Sequence, residues 1–376
     1  MQIKQIPYNK SFKSKNAIKY IEKAIANEHI SGNGPFAKKC HSYFNKYFSL
    51  KTLLTTSATS ALEMTAILAN IKPGDEVIMP AFTFVSTANA FLRRGAKIVF
   101  ADVDYSFPNI DSSKIEELVT PKTKAIVPVH YAGVACDMNA IVNVADRNNI
   151  IVIEDAAQAL LSYYKGKPLG SIGRFGVLSF HETKNITSGE GGLLVVRNEK
   201  DFKRAEILWE KGTNRSSFHR GEVSKYEWLD IGSSFLLSEI NAALLYSQIE
   251  EIANIQKKRV KIWYKYFDKL KDLQDRGEVL LPKIPEYSTV NGHLFFMLCK
   301  SKKERDALIN YLNKKGVQAV FHYLPLHTSP FFAEKHDGRD LKNTVIFSER
   351  IIRLPLFANL KEQEQNYIIN TIKSFF

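Results

Sequence analysis

Between residues 52 and 196, short apolar runs alternate with longer segments of helical periodicity, and this alternation narrows the possible folds more than any other feature. Strands joined by crossover helices build a mainly parallel sheet covered on both faces. The apolar runs fall at 53–55, 76–79, 97–102, 125–130, 150–154, 176–180 and 192–196. Those at 125–130 and 150–154 are almost wholly apolar or β-branched, as strands buried on both faces must be. The expected class is α/β.

Beyond a polar stretch at 212–230, an apolar-periodic region runs over 238–270. It is too long for a typical helix, so a break or bend is expected, and it could bridge two domains. The remainder reads as strand 293–299, helix 303–315, strand 318–323 and helices near 343–352 and 361–374. The 376 residues exceed the usual size of one domain. We therefore expect a large domain at 1–250, N-terminal segment included, and a smaller α+β domain at 251–376.

With 45% hydrophobic and 24% charged residues the composition is that of an ordinary folded protein. Cys40, Cys136 and Cys299 are few and far apart, which argues against a disulfide framework and for a reducing compartment. The N-terminus lacks a signal peptide's apolar core, and no apolar run approaches the roughly 18 residues of a membrane span. A cytoplasmic protein with no membrane partner is expected. The net charge of +13 resides largely in lysines such as Lys257, Lys258, Lys261, Lys265 and Lys269, spaced as on a solvated helix face. No zinc-finger spacing, basic-region heptad or aromatic-rich RNA-binding signature accompanies it, so nucleic acid is not an expected partner. A small phosphorylated substrate is compatible with the same charge.

In an open α/β sheet, ligands bind beyond the C-terminal ends of the strands. Four such ends carry polar residues: Glu154-Asp155-Ala156-Ala157-Gln158, Ser179-Phe180-His181-Glu182-Thr183-Lys184, Thr56-Ser57-Ala58-Thr59-Ser60 and Pro80-Ala81-Phe82-Thr83-Phe84. Singly these are ordinary: a strand-terminal carboxylate or a Ser/Thr before a helix is commonly a cap, and loop lysines are commonly solvated. Jointly they match the needs of pyridoxal 5′-phosphate (PLP), which takes a lysine for its aldehyde, a carboxylate for its pyridine nitrogen and donors for its phosphate. Lys184 and Asp155 supply the first two. Ser57, Ala58 and Thr59 precede an apolar helical segment whose N-terminal amides suit a phosphate dianion. Phe84 could stack on the ring. No metal is required.

The segments GDEVIMPAFTFVSTANA at 74–90, KAIVPVHYAGVACDM at 124–138, VIEDAAQAL at 152–160 and FGVLSFHETKNITSGEGGLLVV at 175–196 resemble the DegT/DnrJ/EryC1/StrS family of sugar aminotransferases over essentially the whole chain. The resemblance implies the aspartate-aminotransferase-like PLP fold (fold type I), with a mixed, mainly parallel sheet and a smaller C-terminal α+β domain. It implies Lys184 as the Schiff-base lysine and proton carrier, Asp155 at the pyridine nitrogen, Gln158 near the ring hydroxyl, and Phe84 over the ring. Ser179, Ala58 and Thr59 would meet the phosphate. Many relatives carry an asparagine that reaches the neighbouring subunit's cofactor phosphate; here Ser234 stands in its place, within Ile231-Gly232-Ser233-Ser234-Phe235, and its hydroxyl could still donate. A homodimer with shared active sites is implied.

That Gly-Ser-Ser variant, with 210–228 and 319–327, resembles the subgroup acting on dTDP-4-keto-6-deoxy-D-glucose, which makes 4-amino-4,6-dideoxyhexoses for surface polysaccharide. Arg215 and Arg220, in a basic stretch, would then contact the nucleotide sugar's phosphates, and His322 and Tyr323 would face the sugar, with L-glutamate as amino donor. Transfer to C3 rather than C4 is the nearest alternative. A dehydratase on the same fold would carry histidine in place of Lys184. A non-catalytic PLP-bound regulator would be expected to carry an added DNA-binding region, and none is evident.

Overall fold

The structure, a computed structural model, describes residues 5–376. The chain opens with helices α1 (Ala17–Ala26) and α2 (Pro35–Phe48). Pro35 at the first helical position starts α2, and the buried Glu239 carboxylate accepts from the Phe36 and Ala37 amides of that first turn.

Strands and helices then alternate. β1 (Lys51–Thr55), α3 (Ala58–Leu68), β2 (Glu76–Pro80), α4 (Val85–Leu92), β3 (Lys97–Ala101), β4 (Thr123–Ile126), α5 (Met138–Arg147) and β5 (Ile151–Asp155) follow in order. A small hairpin, β6 (Tyr163–Tyr164) and β7 (Lys167–Pro168), precedes β8 (Phe175–Ser179), β9 (Gly192–Val196), α6 (Glu199–Trp209) and the short α7 (Arg215–His219). The seven-stranded sheet has the order β1-β9-β8-β5-β4-β2-β3. Its pairings are parallel except those of β9, which runs against both β1 and β8. Each of the seven apolar runs supplies a strand of this sheet, although that expected over 125–130 ends at Ile126.

Period-two alternation divides the strand side chains between two cores. Leu54, Ile78, Val99, Ile126, Val152 and Leu178 join the core beneath α2 and α5. Leu53, Val77, Ile98, Ala125, Ile153 and Val177 join the core beneath α3, α4 and α6. Both faces are covered, which is why the polar residues of these strands fall at or near their ends.

The apolar-periodic region after α7 breaks, as its length requires, into α8 (Glu239–Ile249) and α9 (Ile252–Asp275) at Glu250 and Glu251. These two carboxylates accept from the Tyr20 hydroxyl and the Lys15 amide. A second sheet, β10 (Val279–Leu280), β11 (Phe295–Cys299) and β12 (Ile351–Leu354), is antiparallel and packs with α9, α10 (Lys302–Lys314) and α12 (Glu362–Lys373) around a third core. α11 (Lys342–Arg350) leads directly into β12.

Two expectations are corrected here. The stretch 318–323 is not a strand: only Val320 bridges to β12, at Arg353, and the chain then leaves the sheet to carry Tyr323 to Phe82. The helix expected over 343–352 ends at Arg350, because the β-branched pair Ile351-Ile352 pairs with β11 instead. Among the described residues, no helix is long and apolar enough to cross a membrane.

Candidate active site

A cavity of about 600 Å³ lies where β5, β8 and β1 end and where the segment 320–323 reaches the large sheet. It brings together Ser57, Ala58, Thr59, Phe84, Asp155, Gln158, Ser179, Lys184, His322 and Tyr323.

One wall is the start of α3. Ser57 is extended and its side chain caps the helix, accepting from the Ser60 amide at 3.0 Å. The Ala58 and Thr59 amides fall in the first turn, where helix geometry leaves N–H groups without partners. Strand β9 fixes this turn closely: a Cβ on Gly192 would lie 2.4 Å from the carbonyl of Ser57 and 2.5 Å from the Ala58 nitrogen. Ser179, at the end of β8, and Ser86 add hydroxyls to the cavity wall.

The adjacent carboxylates that end β5 diverge because strand side chains alternate. Asp155 is 6% exposed and points into the cavity, where Oδ2 accepts from the Thr87 hydroxyl at 2.7 Å and Oδ1 from the Ala157 amide at 3.2 Å. Glu154 turns to the opposite face. There it accepts from the Gly170, Ile172 and Gly173 amides and pairs with the buried His130 at 3.0 Å. A carboxylate so fully engaged is structural.

Lys184 follows β8 in a tight turn, its amide donating to the His181 carbonyl. Burial pulls its ammonium down to about 8, the Asp155 carboxylate partly opposes this, and the Arg353 charge reinforces it. An amine and a carboxylate thus face one cavity without forming an ion pair. Gln158 is held at both ends of its amide, Oε1 accepting from the Ala132 amide at 2.7 Å and Nε2 donating to the Tyr323 hydroxyl at 3.0 Å. His322 stacks on Tyr323 at 3.6 Å and meets the Tyr131 hydroxyl at 3.2 Å. Burial, with the Arg353 and Lys184 charges, holds His322 neutral well below the usual histidine range. Phe84 is 56% exposed and presents an open ring at the mouth.

Three of the candidate residues lie elsewhere. Ser234 is exposed beside Glu210, with which it forms an isolated bridge. Arg215 donates to His219, and Arg220 is committed to Glu206 and Glu222 at 2.8 and 2.7 Å. Within one chain none of these lines the cavity. The cavity also holds Tyr8, Thr87, His293 and Arg353, which the sequence reasoning did not select. Thr87 lies inside one of the quoted motifs. A lone arginine in the apolar run 351–358 was the available signal for Arg353. Tyr8 and His293 carry no local signature.

This donor set fits PLP: a lysine and an aspartate on the cavity, a helix N-terminus with serine hydroxyls for the phosphate, and an aromatic ring at the mouth.

The family model of the DegT/DnrJ/EryC1/StrS aminotransferase family matches residues 12–373. The uncharacterised protein MJ1066 of Methanocaldococcus jannaschii is 33% identical over 349 residues, 90% of each chain. Spr1654 of Streptococcus pneumoniae, solved in PLP, PMP and apo forms, is 28% identical with a TM-score of 0.90; the PLP-form match covers 99% of this chain and 98% of that one. The aminotransferase TlmJ of Streptoalloteichus hindustanus is 26% identical at a TM-score of 0.91, with 99% and 98% covered.

Proposed function

Because the chain belongs to the DegT/DnrJ/EryC1/StrS aminotransferase family, PLP-dependent sugar aminotransferases of fold type I, we propose that it moves an amino group from L-glutamate to C4 of dTDP-4-keto-6-deoxy-D-glucose. The observation that carries this reading is the placement of Lys184 and Asp155 on one cavity whose far wall is the N-terminus of α3.

When bound, PLP supplies an electron sink for cleavage of the bond to the α-hydrogen. The chain supplies the rest. Lys184 would hold the cofactor's aldehyde, and its amine, when free, would carry a proton to and from the substrate carbon. An amine whose pKa is about 8 is suited to give and take that proton near neutrality. Asp155, fixed by Thr87 and Ala157, would keep the pyridine nitrogen protonated. The Ala58 and Thr59 amides, with Ser57 and Ser179, would hold the phosphate, Gln158 would serve the ring hydroxyl and Phe84 would cover the ring.

His322 and Tyr323 face the sugar. As neutral groups they suit hydroxyls and a carbonyl better than a second anion. The nucleotide diphosphate would meet the basic stretch around Arg215. Arg220, already paired with two glutamates, has less charge to offer it.

The surface from Phe218 to Ile231 exposes Tyr226, Trp228, Leu229 and Ile231, an apolar patch that suits a subunit contact. A homodimer burying it would carry Ser234 and Arg215 toward the neighbour's cavity. The buried, unpaired cysteines suit a cytoplasmic enzyme making an aminosugar for surface polysaccharide.

Incubation with glutamate and dTDP-4-keto-6-deoxy-D-glucose, followed by NMR of the product ring, tests the reading. A dTDP-4-amino-4,6-dideoxyhexose is expected. Nitrogen at C3, or no transfer to this sugar, would contradict it.

A further inference from the structure

Tyr131 follows β4 and is wholly buried, although it carries a hydroxyl. Its backbone is pinned, the amide donating to the Asn109 side-chain oxygen and to the Val129 carbonyl, both at 3.0 Å. Its ring is wedged among Phe82, Phe107 and Phe296, with centroids 5.3, 6.4 and 5.5 Å or more apart in that packed group. The hydroxyl therefore has one fixed position, and its one hydrogen bond among the described residues is with Nδ1 of His322, at 3.2 Å.

That contact has a direction. If Nδ1 carried the proton and donated it, the Tyr131 proton would be left in the core without an acceptor, which costs more than a hydrogen bond gains. If the ring were turned over, a carbon would meet the hydroxyl and orphan it altogether. Only donation from Tyr131 to a bare Nδ1 satisfies both groups. A neutral imidazole then holds its proton on Nε2. Nε2 has no partner among the described residues, and the ring borders the cavity that contains Lys184. Stacking on Tyr323, at 3.6 Å between centroids, keeps the ring from turning.

We infer that Tyr131 is a positioning residue: through Nδ1 it fixes His322 as the tautomer whose Nε2–H is offered to an acceptor oxygen of the keto sugar, an inference that rests on the transamination reading above. A bare Nε2 would set its lone pair against those of a carbonyl oxygen, whereas Nε2–H donates to it. The sugar half-reaction thus depends on the tautomer, and the amino-acid half-reaction, which involves no sugar oxygen, does not.

The test uses the cofactor-loaded protein labelled at its histidine nitrogens, with Tyr131→Phe, His322→Gln and the double variant. Nitrogen NMR distinguishes a protonated ring nitrogen from a bare one, and the signals lost in His322→Gln identify His322. The wild type should show Nε2 protonated and Nδ1 bare, and Tyr131→Phe should show a mixture of the two tautomers. In the amine-loaded protein Tyr131→Phe should slow the keto-sugar half-reaction on the order of tenfold, while the glutamate half-reaction changes less than about threefold. Glutamine can donate from the place of Nε2 and has no tautomer, so adding Tyr131→Phe to His322→Gln should cost less than about twofold more.

A wild-type His322 protonated on Nδ1 or on both nitrogens would overturn the assignment. So would a tautomer unchanged in Tyr131→Phe, or an undiminished effect of Tyr131→Phe in the His322→Gln background. Should Tyr131→Phe fail to fold, the wild-type signals still decide where the proton lies. Should the wild-type chain leave the keto sugar unchanged, the reading of the reaction falls, and the nitrogen signals still decide whether Tyr131 sets the tautomer.

Discussion

Asp155 and Glu154 are neighbours on β5 with opposite duties, and substitution should separate them. Asp155→Ala is expected to retain bound cofactor and fold normally while kcat falls on the order of 100-fold or more, since the carboxylate proposed to keep the ring nitrogen protonated is gone. Glu154→Gln is expected to act on stability instead. It removes the charge that three amides and His130 share, costing about 3 kcal/mol in urea unfolding. The reverse pattern would mean that the two roles are exchanged. Lys184 gives a pH prediction. Its pKa of about 8 in the folded chain lies below the ordinary 10.5, so between those values the unfolded chain holds more protons. The cofactor-free protein should accordingly gain stability as pH rises from about 8 toward 10.5. Its rate of PLP uptake should rise to a plateau with a midpoint near 8, and a midpoint near 10 would contradict the buried amine. At this scale the sequence was informative wherever a polar residue ended an apolar strand. It was silent on Tyr8 and His293, which reach the cavity from distant segments by tertiary packing alone.

The meeting of β9 with α3 shows how elements make the site. Gly192 is the residue where the antiparallel strand passes the Ser57–Ala58 peptide, and the constraint is space rather than a left-handed backbone. Gly192→Ala should push the first turn of α3 outward and weaken cofactor binding by roughly tenfold, with a stability loss of about 1–3 kcal/mol from overpacking. PLP titration and thermal unfolding measure both, and unchanged affinity would show that this turn does not cradle the phosphate. The strands of the large sheet were legible because double-sided burial leaves an unbroken apolar run. Their order was not, since inserting β9 between β1 and β8 is a non-local pairing with no local signature. The misread elements near β12 have a related cause: short apolar runs such as Ile351–Leu354 satisfy helix and strand patterns alike, and sheet pairing with β11 decides.

Over the whole molecule, the proposed second subunit rests on the exposed apolar stretch from Phe218 to Ile231, and the +13 charge is compatible with the proposed anionic substrate. If the sites are shared, mixing inactive Lys184→Ala subunits with inactive subunits altered at Arg215 and Ser234 should restore activity. Random pairing makes half the dimers mixed, each with one intact site, so recovery of roughly one quarter of wild-type activity is expected. Recovery of nothing while heterodimers form would restrict the site to one chain. The central claim, that this cavity holds the cofactor on Lys184 and works through it, has a more direct test. Borohydride reduction of the PLP-loaded protein, followed by peptide mass spectrometry, should place the label on Lys184, and Lys184→Ala should show neither label nor turnover. A label on another lysine, such as Lys165 or Lys211, would contradict the account.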